Sequence, residues 1–191
     1  MVFGIPRGGV VVAHEVAERL GCPLDVLVVR KLGYPGHEEA AFGAIGEDGV
    51  LVPPRLADLR PGDRGYDVVQ DAIARKADET ADQIRRFRGD RPRRSAAGMV
   101  AIVVDDGIAT GFTFAAALAI VSRDRPQRLV AAIPVATADG ADFISHYCDE
   151  VHLLQAAERG RFFAVSMYYD IFGQVSDDEV VQLLARRAAP G

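Results

Sequence analysis

Residues 100–113 constrain the fold and the chemistry more than any other stretch of this sequence. They read VAIVVDDGIATGFT, an apolar run that ends in Asp105 and Asp106 and continues into a loop with glycines and threonines. The apolar run predicts a strand buried on both faces. The glycines let backbone N–H groups converge and a helix begins behind them, so the loop is suited to an anion such as phosphate. Because the carboxylates would repel that anion, they indicate ribose hydroxyls or a divalent cation on the same ligand.

A second glycine-rich loop lies near the start of the chain. Residues 4–9, GIPRGG, follow a strand stub at 1–3 and precede a helix that Gly21 ends. The predicted apolar stripe of that helix is Val12, Val16 and Leu20. Arg7 would supply a counter-charge to an oxyanion in this loop. The same glycines also suit a tight strand-to-helix connection, so taken alone the loop leaves both interpretations open.

Two adjacent cations, Arg30 and Lys31, follow the next apolar run. Residues 24–29 predict a strand, and ligands of open α/β sheets bind at the carboxyl ends of strands. A solvated strand end is the simpler alternative for such a pair. Residues 32–39 are rich in turn formers and charge, which predicts a mobile loop.

The remainder of the chain alternates predicted strands and helices. The predicted elements are a hairpin of strands 42–45 and 50–52 around an Asp-Gly turn, a helix at 67–87, a helix at 114–121, a strand at 129–135, a helix at 138–147, a strand at 151–154 and a last helix from Ser176 to about 187. This order predicts an α/β fold with a doubly wound, mostly parallel sheet, a small antiparallel hairpin and a C-terminal helix. The length of 191 residues suits a single domain, 1–191.

Composition limits the partners. The formal net charge of −5 argues against a nucleic-acid partner, and no apolar run has the length of a membrane span. Cys22 and Cys148 are far apart and match no metal-binding spacing, which favours plain thiols of a cytoplasmic protein. The sequence contains neither a P-loop nor a G-x-G-x-x-G motif, so the common nucleotide-binding folds do not fit.

The segment VVDDGIATGFT at residues 103–113 resembles the phosphoribosyl pyrophosphate (PRPP) motif of type I phosphoribosyltransferases. Four further segments share the resemblance: residues 4–10, 29–31, 42–45 and 168–172. Together they are similar to a bacterial and archaeal branch of predicted phosphoribosyltransferases along nearly the whole chain. The resemblance implies the type I phosphoribosyltransferase fold and a place in nucleotide metabolism.

The resemblance also implies site roles. The 5′-phosphate would be held by Gly107, Ile108, Ala109, Thr110, Gly111 and Thr113. Asp105 and Asp106 would take the ribose hydroxyls, directly or through Mg²⁺, and with Lys31 they form the expected catalytic set. Pyrophosphate would be bound by Arg7, Gly8, Gly9, Arg30 and Lys31, in a loop where the family often carries a cis peptide. The segment after Lys31 would close as a lid.

The activity that the resemblance implies is Mg²⁺-dependent transfer of 5-phosphoribose from PRPP to an unidentified acceptor, a nitrogenous base, with release of pyrophosphate. The alternative is a regulatory protein that binds PRPP or a nucleotide without catalysis. Lys31 and the lid segment favour the enzyme, as does the absence of a DNA-binding helix pair. Hydrolysis of PRPP by water is a third reading. A homodimer is compatible with this assignment, and the partners are otherwise small molecules.

Two departures from the family bear on the acceptor. Relatives have a helix and a longer first strand before Gly4, and because that region often contributes to the hood over the acceptor base, the short start puts base binding in question. The alternatives are a misassigned start, a trimmed chain and a partner segment that supplies this packing. Residues 134–136 also lack the lysine that purine salvage enzymes use against the base. The predicted acceptor wall is Val135, Tyr168 and Tyr169, and packing of these side chains in the core is the alternative.

Overall fold

The computed structural model describes residues 1–34, 37–47, 49–51, 60–63, 65–157 and 162–188. Its strands are β1 (Val2–Gly4), β2 (Leu24–Val26), β3 (Val29–Tyr34), β4 (His37–Gly46), β5 (Gly49–Leu51), β6 (Val100–Val104), β7 (Arg128–Thr137) and β8 (Glu150–Ala157). Its helices are α1 (Gly8–Leu20), α2 (Tyr66–Arg88), α3 (Phe112–Ser122), α4 (Ala138–Ser145) and α5 (Asp177–Ala188), with a short 3₁₀ turn at Val165–Tyr168. Asp48 and Val52 of the predicted hairpin lie outside the described residues.

Five strands form the parallel sheet that the strand–helix alternation predicts. Their order is β2-β1-β6-β7-β8, and every neighbouring pair is parallel. Successive side chains of a strand point to opposite faces, so Phe3 enters one core while Val2 enters the other. The predicted doubly wound α/β sheet is therefore confirmed.

Helices cover the two faces unequally. On one face α3 and α4 pack around Phe114, Leu118 and Ile144, and on the other α1, α5 and the end of α2 pack over β1 and β2. The buried residues of α1 are Gly9, Val10, Ala13, His14 and Ala17. The predicted stripe of α1 is therefore only partly right: Val12 and Val16 are half-buried, and Leu20 is 58% exposed.

A second sheet, β3-β4-β5, is antiparallel and corrects two predictions. Residues 24–29 are not one strand, because β2 ends at Val26 and the next strand begins at Val29 in the other sheet. The unbroken apolar run hides this switch. Residues 32–39 are not simply a loop either, since β3 continues to Tyr34 and pairs with β4 from His37 onward; residues 35–36 lie outside the described part. The predicted hairpin is confirmed by the pairing of β4 with β5.

One groove lies away from the predicted chemistry. It has a volume of about 550 Å³ and lies at the amino ends of β6, β7 and β8, between α1 and the edge of the sheet. Its floor is mainly apolar, with Ile102, Val130 and Ala132. No helix in the described ranges combines the length and the hydropathy that crossing a membrane requires.

Candidate active site

A smaller cavity, of about 370 Å³, opens at the carboxyl ends of β1 and β6, which are neighbours in the parallel sheet. Carboxyl ends of parallel strands are where the connecting loops of such sheets form ligand sites. The cavity is lined by Ile5, Pro6, Arg7, Gly8, Lys31, Asp105, Asp106, Gly107, Ile108, Ala109, Thr110, Gly111, Thr113, Phe114 and Val165. The fold thus brings the two glycine-rich loops and Lys31 to one place.

The loop that follows β6 is bonded to the end of β7. The Ile108 N–H donates to the Val135 carbonyl at 2.9 Å, and the Thr137 N–H donates to the Ile108 carbonyl at 3.0 Å. Helix α3 begins at Phe112, so its unpaired N–H groups and positive dipole end lie beside the cavity. We call residues 107–113 the phosphate loop. Its six predicted binding residues all line the cavity.

Asp105 and Asp106 form a crowded acidic pair beside this loop. The Asp106 N–H donates to Asp105 Oδ1 at 2.9 Å. Burial, and then the charge of Asp106, raise the pKa of Asp105 well above its ordinary value, while Lys31 acts in the opposite direction. Burial also raises the pKa of Asp106. The two carboxyl groups are close together and half-buried at the cavity, an arrangement that suits a bound cation or the hydroxyl donors of a ligand.

These residues fit a magnesium ion. Mg²⁺ binds hard oxygen ligands and usually takes one or two protein carboxylates, with water and substrate oxygens completing its shell. The acidic pair offers such oxygens in the cavity. Within the described ranges no cluster of three or more histidine, cysteine or acidic side chains is placed to hold a metal by itself. A cation here would therefore depend on oxygens of the bound ligand.

The amino-terminal loop packs directly against the acidic pair. A Cβ at Gly9 would stand 2.7 Å from Asp105 Oδ1, and a Cβ at Gly8 would overlap Asp106 Oδ2. Only glycine permits this approach, so Gly8 and Gly9 are required by their neighbours. The Pro6–Arg7 peptide is cis, as the family resemblance implies for this loop. Gly9, a predicted pyrophosphate ligand, packs against Asp105 and is not among the residues that line the cavity.

Arg7 is paired with the start of α5. Its Nη1 lies 3.7 Å from Asp177 Oδ1, and Arg7 is about half exposed, with 51% of its side chain accessible. Asp177 also accepts a close hydrogen bond from Arg86 of α2. The guanidinium of Arg7 is thus held loosely by an ion pair, at the rim of the cavity that Arg7 lines.

Arg30 and Lys31 separate in the structure. Lys31 lines the cavity, whereas the Arg30 guanidinium donates to Gln83 Oε1 at 3.0 Å and lies 3.8 Å from Glu79 on α2. Neighbouring residues of a strand point to opposite faces, and both residues lie within β3. The structure therefore separates Arg30 from Lys31, and of these two predicted pyrophosphate ligands it is Lys31 that lines the cavity.

The three predicted acceptor residues are not among those that line the cavity, whereas Val165 is. Val135 is only 1% exposed, and Tyr168 stacks on Phe162 with ring centres 5.8 Å apart. The Tyr169 hydroxyl donates to the Asp106 carbonyl at 2.5 Å, and burial raises the pKa of Tyr169 to about 12. Val165, which the sequence reasoning missed, lines the cavity. As one apolar residue in an aromatic segment, it carries no sequence signal of its own.

Comparison with known proteins agrees with this geometry. The family model for the phosphoribosyl transferase domain matches residues 1–170. Two Mycobacterium tuberculosis proteins, provisionally named phosphoribosyl transferases, are 46% identical over 187 residues, which is 97% of this chain. The chain spans only 41% of the length of these relatives. A crystal structure of a Thermus thermophilus protein matches with 41% identity and a TM-score of 0.81, over 98% of this chain and 88% of that one.

Proposed function

Because this chain belongs to the phosphoribosyl transferase domain family, we propose that it transfers 5-phosphoribose from PRPP to a nitrogenous base and releases pyrophosphate, with Mg²⁺ as cofactor. One observation carries the proposal. A single cavity is lined by a loop at a helix N-terminus, a half-buried acidic pair and a second glycine-rich loop with nearby cations. PRPP has a matching sequence of groups: a phosphate, two ribose hydroxyls and a pyrophosphate.

The phosphate loop suits the 5′-phosphate. It lies at the N-terminal end of α3, where main-chain N–H groups have no partner within the helix and the dipole favours negative charge. The hydroxyls of Thr110 and Thr113 add two donors at the same cavity. This loop carries no cationic side chain between residues 107 and 113, so it would bind the anion chiefly through N–H and O–H groups.

Asp105 and Asp106 would accept hydrogen bonds from the ribose hydroxyls, or hold Mg²⁺ through carboxylate oxygens. The ion would supply positive charge to the oxygens of the departing pyrophosphate. The carboxylates would also stabilise positive charge that develops on the ribose as the bond to pyrophosphate breaks. Neither role requires a proton transfer, and we assign no general base.

The leaving group would lie at the opposite end of the cavity. There Gly8 contributes main-chain N–H near the start of α1, and Arg7 and Lys31 contribute positive charge. A fixed positive environment at the point where negative charge develops lowers the barrier. Arg30 is not included, since its side chain lies against α2.

The acceptor would bind beside Val165, whose apolar side chain closes one wall of the cavity. The 3₁₀ turn that carries it, Val165–Tyr168, is bound to the site through Tyr169 and the Asp106 carbonyl. An apolar wall next to the ribose end favours the flat face of a base over a charged acceptor.

The test is a pyrophosphate-release assay with PRPP, Mg²⁺ and a panel of purine and pyrimidine bases. We expect release that depends on both Mg²⁺ and one class of base, and that disappears when EDTA is added. An arm without any base measures hydrolysis. PRPP binding measured by calorimetry with no release for any base would favour the regulatory alternative, and absence of PRPP binding would overturn the proposal.

A further inference from the structure

The phosphate loop is hydrogen-bonded to the junction of β7 and α4. Thr137, the last residue of β7, is also the N-cap of α4: its Oγ1 accepts a hydrogen bond from the Gly140 N–H at 3.0 Å. The same hydroxyl donates to the Ala109 carbonyl at 2.5 Å. One side chain therefore caps a helix and binds the main chain of the phosphate loop. Thr137 itself does not line the cavity.

The bond to Ala109 fixes the orientation of one peptide group. In a trans peptide the C=O and the following N–H point in opposite directions. The Ala109 carbonyl is directed to Thr137, so the Thr110 N–H is directed away from α4. Ala109 and Thr110 both line the cavity, whereas Thr137 does not. If this peptide rotated, its carbonyl oxygen would be presented to the anion in place of its N–H.

Close packing at Gly140 leaves the Ala109 carbonyl little room to move. A Cβ at Gly140 would stand 2.7 Å from the Ala109 oxygen and 2.9 Å from Thr137 Oγ1. Both distances are shorter than ordinary van der Waals contact. The first turn of α4 therefore rests directly on the carbonyl, and only glycine allows it.

We propose that Thr137, seated against Gly140, is a positioning residue that holds the Ala109–Thr110 peptide so that the Thr110 N–H is presented to the 5′-phosphate. This inference rests on the proposed function only for the identity of the anion. The tether acts through the main chain, so its loss weakens binding at the phosphate loop and leaves the opposite end of the cavity unchanged.

The test compares two half-ligands by calorimetry, ribose 5-phosphate and pyrophosphate with Mg²⁺. For Thr137→Val we expect about tenfold weaker binding of ribose 5-phosphate, the effect of one lost or misdirected hydrogen bond to a charged group, and pyrophosphate binding within about twofold. Thr137→Ser keeps the hydroxyl and should restore binding. Ser176→Ala is the matched control, because Ser176 Oγ accepts from the Glu179 N–H in the same way at the start of α5. It should leave ribose 5-phosphate binding as in the wild type.

A second measurement needs no ligand. Backbone ¹⁵N order parameters of Thr110 and Gly111 should be about 0.85 in the wild type and in Ser176→Ala, and should fall towards 0.6 in Thr137→Val and Gly140→Ala. Unchanged order parameters in both variants, or equal loss of both half-ligands in Thr137→Val, would overturn the positioning role. Wild-type protein that binds neither half-ligand nor PRPP would instead overturn the proposed function, and the order parameters would still decide the role of Thr137.

Discussion

The two glycine-rich loops at the cavity are both held by main-chain hydrogen bonds, but they differ in the groups that they offer to a ligand. The phosphate loop is bound to the end of β7 through main-chain hydrogen bonds at Ile108 and through the Thr137 hydroxyl at Ala109. The amino-terminal loop is bound to β6 by the Ile5 N–H, which donates to the Val104 carbonyl at 2.9 Å, and its one charged side chain, Arg7, is half exposed in an ion pair.

This difference indicates how each end of the cavity would respond to change. Binding by oriented main-chain groups depends on geometry and is little affected by salt. Binding by an exposed guanidinium depends on charge and is screened within about 10 Å at 0.1 M salt. The acidic pair lies where both loops meet, so substitutions there should affect both ends, and substitutions in either loop should affect one.

The largest effect is expected from removing the charges of the acidic pair. Asp105→Asn with Asp106→Asn should lower kcat/KM for PRPP by about a thousandfold, since loss of one fixed electrostatic contact to a transition state costs 10²–10³. Steady-state pyrophosphate release measures this loss. A double variant with near wild-type activity would remove the acidic pair from the mechanism.

The same double variant should be at least as stable as the wild type. Burial raises the pKa of both carboxyl groups, which means that the folded state disfavours their charge. Acids with a raised folded pKa lose stability as pH rises from the unfolded value through the folded one, and the amides remove that loss. Thermal unfolding at pH 7 checks it. A lower melting temperature would mean that the carboxylates stabilise the fold and that the lost activity is in part unfolding.

The next effect is expected at the contact between the amino-terminal loop and the pair. Gly8→Ala places a methyl group on Asp106 Oδ2, and the carboxylate must move. We expect about a hundredfold lower kcat/KM, because displacement of a catalytic group by about 1 Å has an effect of this size. Gly173→Ala is the matched control, since the space around Gly173 is open. Equal activities of the two variants would show that the contact is not needed.

Much of the fold followed from local patterns in the sequence. The strand β6, the strand–helix alternation and the β4–β5 hairpin each depend on residues close together in the chain, and the structure confirms them. The prediction that β6 is buried on both faces is only partly right, because Val100 is 43% exposed and Ile102 is half-buried. The switch of sheets after Val26 did not follow, because Val29 continues the apolar run of β2 without a turn signal. What decides it is the partner strand β4, which lies further along the chain.

The candidate site divides in the same way. Residues 105–113 are contiguous, so their composition was enough to indicate an anion loop beside acids. Arg30 and Lys31 were grouped because they are adjacent, but within a strand adjacency means opposite faces. Thr137 contacts the phosphate loop and Val165 lines the cavity, and both come from elements distant in the chain. A single threonine or valine has no sequence pattern that would predict such a contact.

A moderate effect is expected from Arg7. Arg7→Gln should weaken binding of pyrophosphate with Mg²⁺ about tenfold at low salt, and ribose 5-phosphate binding should stay within about twofold. The difference in pyrophosphate affinity between the wild type and Arg7→Gln should shrink as the salt concentration rises, because the guanidinium is half exposed and salt screens its charge. Arg86→Gln, which removes the other partner of Asp177, is the control. Loss of both half-ligands in Arg7→Gln would contradict the division between the two loops.

The smallest effect is expected from Tyr169→Phe, which removes the hydrogen bond from the Tyr169 hydroxyl to the main chain of the acidic pair. Loss of the bond to the Asp106 carbonyl should cost about 1 kcal/mol of unfolding free energy, or about 3 °C in melting temperature. Since the pKa of Tyr169 is raised from 10.0 to about 12, wild-type stability gains from the neutral hydroxyl below pH 10 and loses it as pH rises towards 12. Tyr169→Phe has no hydroxyl at this position, so it should lose less stability than the wild type as pH rises towards 12. Tyr168→Phe, which removes the hydroxyl of the neighbouring ring, is the control and should lose as much stability as the wild type. Identical alkaline unfolding curves for Tyr169→Phe and the wild type would show that this hydroxyl does not tie the 3₁₀ turn to the acidic pair.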